Sequence, residues 1–257
     1  MADNVAFDRE TVERLERTYR TPTIVRRRER MRELLAPEPG ERALSVGAGP
    51  GFEPAELSRR VAPGGSVTTV DLSRSMLAAT RRREPGVRVC QGSAEELPLA
   101  DDAVDTALAV QVFEYLRDVE SAAAELQRVL RPGGRAVVVA TDWDTLVWRA
   151  EDENRAERLL AAYEDHCEQP RLGSRLAGPL REAGLAVETV EPFPVLCTEG
   201  GEESFAHWLA VLAAEYLRGH DTVEDSEVDA WQADLRERAA AGETFLSFTQ
   251  FCYLVRA

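Results

Sequence analysis

The chain has 257 residues, with 46 acidic side chains, 31 basic ones and a formal net charge of −15. This length suits one α/β domain with an added cap. Proteins bind nucleic acid through a basic surface that faces the phosphates, so the negative charge argues against a nucleic-acid substrate. Every basic residue is arginine, and the absence of lysine indicates either a GC-rich genome or a salt-adapted cytosol.

The first 35 residues are charged and helical in pattern. Residues 9–19 and 24–35 have helical periodicity, and Thr21-Pro22-Thr23 interrupts it. No apolar stretch approaches the roughly 20 residues that span a membrane, and the first ten residues contain no apolar signal segment. We therefore expect a cytoplasmic protein that does not insert into membranes.

A buried strand, a glycine-rich turn and a helix come next. The apolar residues 43–46 lead into Gly47, Gly49 and Gly51, and residues 53–60 have a helical pattern. A second apolar run then ends on Asp71. Glycines let a backbone press against a ligand, and a carboxylate at the tip of the second strand can accept hydrogen bonds from both hydroxyls of a ribose. Together these features predict a nucleotide site.

The spacing of the glycines narrows the kind of nucleotide. A dinucleotide fingerprint needs a third glycine where Phe52 stands, and a P-loop needs a lysine, which this chain lacks. The remaining common ligand of such a turn is S-adenosylmethionine, which has a ribose and an adenine but no phosphate. A flavin or nicotinamide oxidoreductase stays an alternative, as does a binding module that keeps the cofactor fold without turnover.

Strand and helix patterns alternate through the rest of the chain, as a doubly wound α/β sheet requires. Helical patterns cover residues 73–83, 119–130, 152–167 and 201–240. Strand patterns cover residues 87–91, 104–110, 135–141, 186–190 or 186–197, and 244–255. No linker or repeat interrupts the chain, so we predict one domain with a helical lid at 1–35, a cofactor-binding core at 36–142 and a substrate side at 143–257.

Several motifs occur in an order typical of one enzyme family. They are the glycine turn, Asp71-Leu-Ser-Arg-Ser-Met76, Gln91-Gly-Ser-Ala-Glu95, Asp101-Asp-Ala-Val-Asp105, Gln111-Val-Phe-Glu-Tyr115 and Leu130-Arg-Pro-Gly-Gly134. On these motifs, residues 40–145 resemble the class I S-adenosylmethionine-dependent methyltransferases that act on small molecules, of the ubiquinone/menaquinone methylase-like type. The resemblance implies a Rossmann-like, seven-stranded, mostly parallel sheet whose last strand is antiparallel.

The resemblance also implies which residues bind the cofactor. Near the methionine part and beneath the sulfonium it places Gly47, Ala48, Gly49, Gln111 and Phe113. Near the ribose and adenine it places Asp71, Leu72, Met76, Ser93, Ala94 and Glu95. From the lid, Tyr19 and Arg28 would face the site, with Arg28 directed towards the methionine carboxylate. The alternative for Arg28 is that it lies with Arg26, Arg27 and Arg30 on a solvated helix face.

Two positions depart from the family pattern. Ser45 and Ser93 stand where the family usually has acids that help to hold the cofactor. A serine accepts a hydrogen bond without contributing charge, and charge-assisted bonds are roughly twice as strong as neutral ones. We therefore expect a working but weaker cofactor site.

The segment after the strand at 135–141 is the candidate substrate site. Ligands of open α/β sheets bind at the carboxyl ends of the strands, so Trp143, Asp144 and Trp148 predict an acceptor pocket with aromatic walls and a polar handle. The alternative is that both tryptophans pack a helix against the sheet. Methyl transfer needs a general base only if the acceptor must lose a proton, and the candidates are His166, Asp144 and Tyr115, with Glu114 beside them.

The prediction from the sequence is methyl transfer to a small, partly apolar molecule at an oxygen, carbon or nitrogen atom. The four cysteines have no metal-ligand spacing, so we expect no metal. A homodimer is compatible with this prediction.

Overall fold

The structure is a computed structural model that describes residues 9–257. Two helices, α1 (Arg9–Arg20) and α2 (Pro22–Leu35), precede the sheet. The sheet then alternates with helices in the order β1 (Arg42–Val46), α3 (Phe52–Val61), β2 (Ser66–Asp71), α4 (Arg74–Arg83), β3 (Arg88–Gln91), β4 (Val104–Val110), α5 (Val119–Val129) and β5 (Leu130–Trp148). It continues with α6 (Glu153–Tyr163), α7 (Ala177–Glu182), β6 (Ala186–Cys197), α8 (Phe205–Leu217), α9 (Asp225–Ala241) and β7 (Leu246–Arg256).

The seven strands form one sheet in the order β3-β2-β1-β4-β5-β7-β6. Strands β1 to β5 pair in parallel, and β7 is antiparallel to both β5 and β6. The predicted doubly wound, mostly parallel sheet with an antiparallel last strand is therefore confirmed. Its central strands are buried on both faces, which is why their sequences are nearly continuous apolar runs.

Three apolar clusters hold the helices to the sheet. One lies under α5 and α7 and contains Leu126 and Leu180. A second, on the opposite face, joins Met31 and Leu35 of α2 to β4 and β5. The third is the core of a helical cap formed by α6, α8 and α9 beyond the end of β5, and Trp231 is buried at its centre.

Some element boundaries differ from the sequence prediction. Strand β5 extends seven residues past the predicted end at Thr141, because the chain continues to pair with β7 after a register shift between Asp142 and Val147. Within this irregular stretch the Thr145 hydroxyl accepts a hydrogen bond from the Thr249 N–H at 2.8 Å. The predicted helix at 152–167 is instead α6 followed by a short 3-10 turn at Glu164–His166. The predicted helical region at 201–240 is two helices, α8 and α9.

The N-terminal lid predicted at 1–35 corresponds to α1 and α2, and residues 1–8 lie outside the described residues. Helix α2 is part of the core, since Met31 and Leu35 are fully buried. Helix α1 lies over α4, where Val12 packs against Met76. Among the described helices, none is long and apolar enough to cross a membrane.

Candidate functional site

The glycine loop between β1 and α3 has a backbone that other residues could not adopt without strain. Gly47 has φ of +75°, and a Cβ atom there would lie 2.4 Å from a methyl group of Val112. Gly51 has φ of +85°, and a Cβ atom there would lie 2.7 Å from the Thr80 backbone. At Gly49 the nearest atom to a Cβ would be the Tyr19 hydroxyl at 3.7 Å, so the loop faces the N-terminal helices at this point.

Asp71 connects the end of β2 to this loop. One carboxylate oxygen accepts a hydrogen bond from the Ser73 N–H at 2.7 Å, and the other accepts one from the Gly49 N–H at 3.2 Å. These bonds fix the orientation of the carboxylate. Burial raises the pKa of Asp71, and the backbone hydrogen bonds oppose that rise.

The residues predicted near the adenine lie around the ends of β2 and β3. Leu72 is 55% exposed, so its side chain is available to a ligand. Met76 is buried against α1 instead. The Ser93 hydroxyl accepts a hydrogen bond from the Glu95 N–H at 3.1 Å, and the Glu95 carboxylate accepts one from the Asp118 N–H at 3.0 Å. Ala94 and Phe113 are buried in the core next to these segments.

The N-terminal helices cover the glycine loop with aromatic and guanidinium groups. The Tyr19 ring stacks on Phe52, with ring centroids 5.7 Å apart. The Arg28 guanidinium also lies over the Phe52 ring, 4.8 Å from its centroid. It donates hydrogen bonds to Glu56 and to the Tyr19 carbonyl. Phe52 therefore fills the position of the third glycine with a packed ring.

Arg27 is buried beside polar side chains that follow β4 and begin α3. Its Nη1 donates a hydrogen bond to the Gln111 side chain at 2.5 Å, and its Nη2 lies 3.9 Å from the Glu53 carboxylate. Within the described residues, Nε and Nη2 of Arg27 and one oxygen of Glu53 are buried without a hydrogen-bond partner. The family resemblance implied Arg28, whereas the structure places Arg27 beside Gln111 and Glu53. The apolar spacing of Ile24 and Met31 places both arginines on the buried face of α2, so that spacing indicates the pair but does not separate them.

Buried polar side chains link Arg27 to Thr141 of β5. Gln111 has φ of +52°, and its side-chain amide donates to the Thr141 hydroxyl at 3.2 Å. Gln250 donates to the same hydroxyl at 3.0 Å, and the Thr141 N–H donates to Glu114 at 3.3 Å. Burial raises the pKa of Glu114 to about 7, and its second carboxylate oxygen has no partner among the described residues. The sequence motif pointed to Gln111, but nothing in the sequence indicated Gln250.

The predicted acceptor residues separate into two groups. Asp144 is exposed and forms an ion pair with Arg171 at 2.6 Å, and Trp148 packs edge-on against Trp231 in the cap at 5.2 Å. These contacts account for both side chains without a ligand. Trp143 instead lies in a cluster of rings with Tyr163 and His166, at centroid distances of 5.6 and 4.7 Å.

Tyr115 and His166 belong to this same cluster, with ring centroids 5.9 Å apart. Tyr19 and Tyr115 both pack against the apolar core of the cap, to which Trp143 belongs. Tyr115 also interacts electrostatically with Tyr19, whose hydroxyl is the nearest atom to the Gly49 position, so this ring cluster is connected to the glycine loop through Tyr115 and Tyr19. The structure thus brings Tyr115, Trp143 and His166 together and leaves Asp144 and Trp148 outside the group.

Comparisons with known proteins show which family this chain is similar to. The model of a methyltransferase domain family matches residues 44–138. An uncharacterized 37.1 kDa protein in a transposon of Streptomyces fradiae is 37% identical over 166 residues, which are 63% of this chain and 48% of that protein. The demethylmenaquinone methyltransferase of Beutenbergia cavernae is 39% identical over 119 residues, which are 45% of this chain and 46% of that protein. The chain thus spans about half the length of these relatives.

A solved structure resembles almost the whole chain. The cyclase SpnF superposes with a TM-score of 0.57 at 21% identity, over 90% of this chain and 79% of that chain. At this identity the likeness shows the fold alone. Because the same fold hosts different reactions, the chemistry depends on the residues of the site.

Proposed function

We propose that this chain, which belongs to the class I S-adenosylmethionine-dependent methyltransferases, transfers a methyl group from S-adenosylmethionine to a small, partly apolar molecule. The acceptor atom is an oxygen, a carbon or a nitrogen. The observation that carries this proposal is the methyltransferase-domain match at residues 44–138, which coincides with a glycine loop held against Asp71. The match thus falls on the residues whose geometry suits a ribose.

The residues present fit the cofactor. S-adenosylmethionine supplies an electrophilic methyl carbon on its sulfonium, and its amino-acid end has one carboxylate and one ammonium group. Buried atoms of Arg27 and Glu53 without hydrogen-bond partners lie beside the loop and have the complementary charges. Arg27 would bind the carboxylate and Glu53 the ammonium, while Asp71 would accept hydrogen bonds from the ribose. Glu53 would then replace the acid that the family usually has at Ser45.

Most of the rate of a methyl transfer comes from aligning the acceptor atom with the methyl–sulfur bond and from excluding water. The arrangement of the site supports both effects. Tyr19, Phe52 and Arg28 cover the loop from outside. This supports a lid function for the N-terminal helices in the proposed division into a lid at 1–35, a core at 36–142 and a substrate side at 143–257, and α2 also packs into the core. Gln111, held by Arg27 and Thr141, would form the floor beneath the sulfonium.

The proposed partners follow from charge and composition. A net charge of −15 disfavours nucleic acid as the acceptor and leaves a small molecule as the expected one. A cytoplasmic location and a homodimer remain part of the proposal. Sedimentation velocity at several protein concentrations would test the homodimer.

The proposal is tested by calorimetric titration of the purified protein with S-adenosylmethionine, S-adenosylhomocysteine, NAD and FAD. We expect binding of the first two and none of the dinucleotides, because the Phe52 ring occupies the place where a dinucleotide fingerprint has its third glycine. Binding of NAD or FAD without S-adenosylhomocysteine would establish the oxidoreductase alternative instead.

A further inference from the structure

His166 has one ring nitrogen whose state the structure determines. Its Nδ1 lies 2.5 Å from the Tyr163 carbonyl oxygen. A carbonyl oxygen can only accept a hydrogen bond, so Nδ1 has the proton and Nε2 presents a lone pair. Burial lowers the pKa of His166 to about 4, which keeps the ring neutral at physiological pH. Nε2 is buried and has no hydrogen-bond partner among the described residues.

Two other polar atoms nearby are also buried without partners. They are the indole N–H of Trp143 and one carboxylate oxygen of Glu114, whose neighbour Tyr115 contacts the His166 ring. An unpaired buried polar group destabilises a folded protein, so such atoms are rare in a well-packed core. Nε2 needs a donor and the indole N–H needs an acceptor. A hydroxyl group supplies both.

The surroundings of Nε2 indicate what carries that hydroxyl. The His166 ring stacks on Tyr163 at 4.1 Å, and the rings of Trp143, Tyr115 and Tyr216 lie within 6.1 Å of it. These rings come from a 3-10 turn after β4 (Phe113–Tyr115), from β5, from α6 and from α8, so they converge from both the sheet and the cap. Aromatic walls favour a flat, apolar molecule over a charged or highly hydrated one.

We infer that His166 binds the hydroxyl group of the methyl acceptor through Nε2, and that the acceptor is a planar, aromatic hydroxyl compound. This inference rests on the proposed function and assigns it an O-methylation. The hydroxyl oxygen attacks the methyl carbon, the carbon–sulfur bond breaks, and its electron pair stays on sulfur as neutral S-adenosylhomocysteine. The hydroxyl proton passes to Nε2, so the products are a methyl ether, S-adenosylhomocysteine and a protonated imidazole.

A weakly basic imidazole suffices for this step. As the methyl group arrives, the hydroxyl oxygen becomes a protonated ether, which is far more acidic than the free hydroxyl. The proton therefore moves downhill to His166 once the new bond is forming. Positioned proton transfer of this kind contributes about 10²–10⁴-fold to rate.

The test measures ligand binding to the full chain saturated with S-adenosylhomocysteine. Three matched pairs serve as probes: phenol and anisole, 1-naphthol and 1-methoxynaphthalene, and catechol and 1,2-dimethoxybenzene. We expect at least one hydroxyl compound to bind at least about tenfold tighter than its ether, as one well-placed hydrogen bond allows. His166→Phe keeps a stacking ring without an acceptor nitrogen and should abolish the preference. His207→Phe, on α8, is the matched control and should leave it intact.

Nitrogen NMR of the wild-type imidazoles gives a second readout that does not depend on any variant folding. The chain has three histidines, so their ring signals can be resolved. We expect the His166 Nε2 signal to be that of an unprotonated nitrogen and to shift when the hydroxyl compound binds. With S-adenosylmethionine present, the same compound should become its methyl ether, and His166→Phe should lower kcat by about 100-fold or more without changing the KM for S-adenosylmethionine.

The outcomes distinguish failure of the proposed function from failure of the role inferred for His166. Absence of S-adenosylhomocysteine binding would overturn the proposed function and this inference with it. Cofactor binding without any preference for the hydroxyl compounds would overturn the inference alone. So would a preference that persists in His166→Phe, or an Nε2 signal that does not respond to the ligand.

Discussion

Arg27 and Arg28 are neighbours in the sequence, yet their side chains contact different parts of the protein. Arg28 is paired with Glu56 and lies over Phe52, whereas Arg27 reaches Gln111 and Glu53. One residue along a helix rotates a side chain by about 100°, which is enough to separate a loop contact from a contact with the sheet. Only the packed structure distinguishes them.

We predict that Arg27→Met lowers the affinity for S-adenosylhomocysteine by at least about tenfold, because it removes a charged hydrogen bond to the carboxylate. Affinity for 5′-methylthioadenosine, which lacks the amino-acid end, should stay within about twofold. Arg28→Met is the matched control and should leave both affinities within about threefold. Calorimetry measures all of these affinities. The reverse pattern would assign the carboxylate to Arg28, as the family resemblance implies.

Asp71 is the residue on which the ribose assignment depends. Asp71→Ala should weaken S-adenosylhomocysteine binding by at least about tenfold, since two hydroxyls lose a charged acceptor worth roughly 1.5–3 kcal/mol per bond before desolvation. Asp71→Asn keeps an accepting oxygen for the Ser73 N–H and serves as the control for loop geometry. An unchanged affinity in a folded Asp71→Ala protein would refute the assignment.

Protonation of Glu114 makes the stability of the folded protein depend on pH. Its pKa rises from an ordinary 4.5 to about 7 because burial disfavours the charged form. The folded protein therefore holds this proton more tightly than the unfolded chain does. The resulting stabilisation is complete below pH 4.5 and is lost as pH rises through 7.

We therefore predict that Glu114→Gln becomes more stable relative to the wild type as pH rises between these values. The difference should grow by at most about 1.4 kcal/mol per pH unit and become constant above pH 8 or so. Urea unfolding at several pH values measures it, with the exposed Glu120→Gln as control. Parallel stability curves for wild type and Glu114→Gln would contradict the argument.

At the level of elements, the sequence predicts the sheet better than the cap. Apolar runs located β1, β2 and β4 to within a residue, because central parallel strands are buried on both faces. The extension of β5 was missed, since its pairing with β7 depends on a register shift that local pattern does not encode. The contact between Trp143 and His166 is likewise tertiary. His166 lies in the 3-10 turn after α6, where the sequence pattern predicted more helix.

The two N-terminal helices differ in how they are attached, and truncations should separate them. Deletion of residues 1–20 removes α1 and the stacking of Tyr19 on Phe52, and it leaves α2 in place. This variant should fold and bind S-adenosylhomocysteine several-fold more weakly, as loss of a lid implies.

Deletion of residues 1–35 should instead prevent folding. It strips the fully buried Met31 and Leu35 from the core, and losing such side chains costs about 2–5 kcal/mol each, against a total stability of about 5–15 kcal/mol. Circular dichroism melting and calorimetry distinguish the two variants. A cooperative melt of the longer deletion near the wild-type temperature would show that α2 is only a lid.

For the whole molecule, the sheet has an exposed edge at β6 that must not pair with other sheets. The solvent-facing row of β6 includes Val190 and Leu196, which are exposed apolar side chains. Between them stand Pro192 and Pro194, whose lack of N–H groups removes two donors from the strand. A net charge of −15 adds repulsion between copies.

We predict that replacing Pro192 and Pro194 together with threonine makes the protein self-associate more strongly than the wild type at equal concentration. The change restores N–H groups and β-propensity to an edge strand that already exposes apolar side chains. Sedimentation velocity over a concentration series measures the effect, and added salt should enhance it by screening the acidic surface. Val190→Thr, on the same exposed row, adds no N–H group and should behave as the wild type does. If the double variant sediments like the wild type at every concentration and salt level, the prolines do not protect this edge.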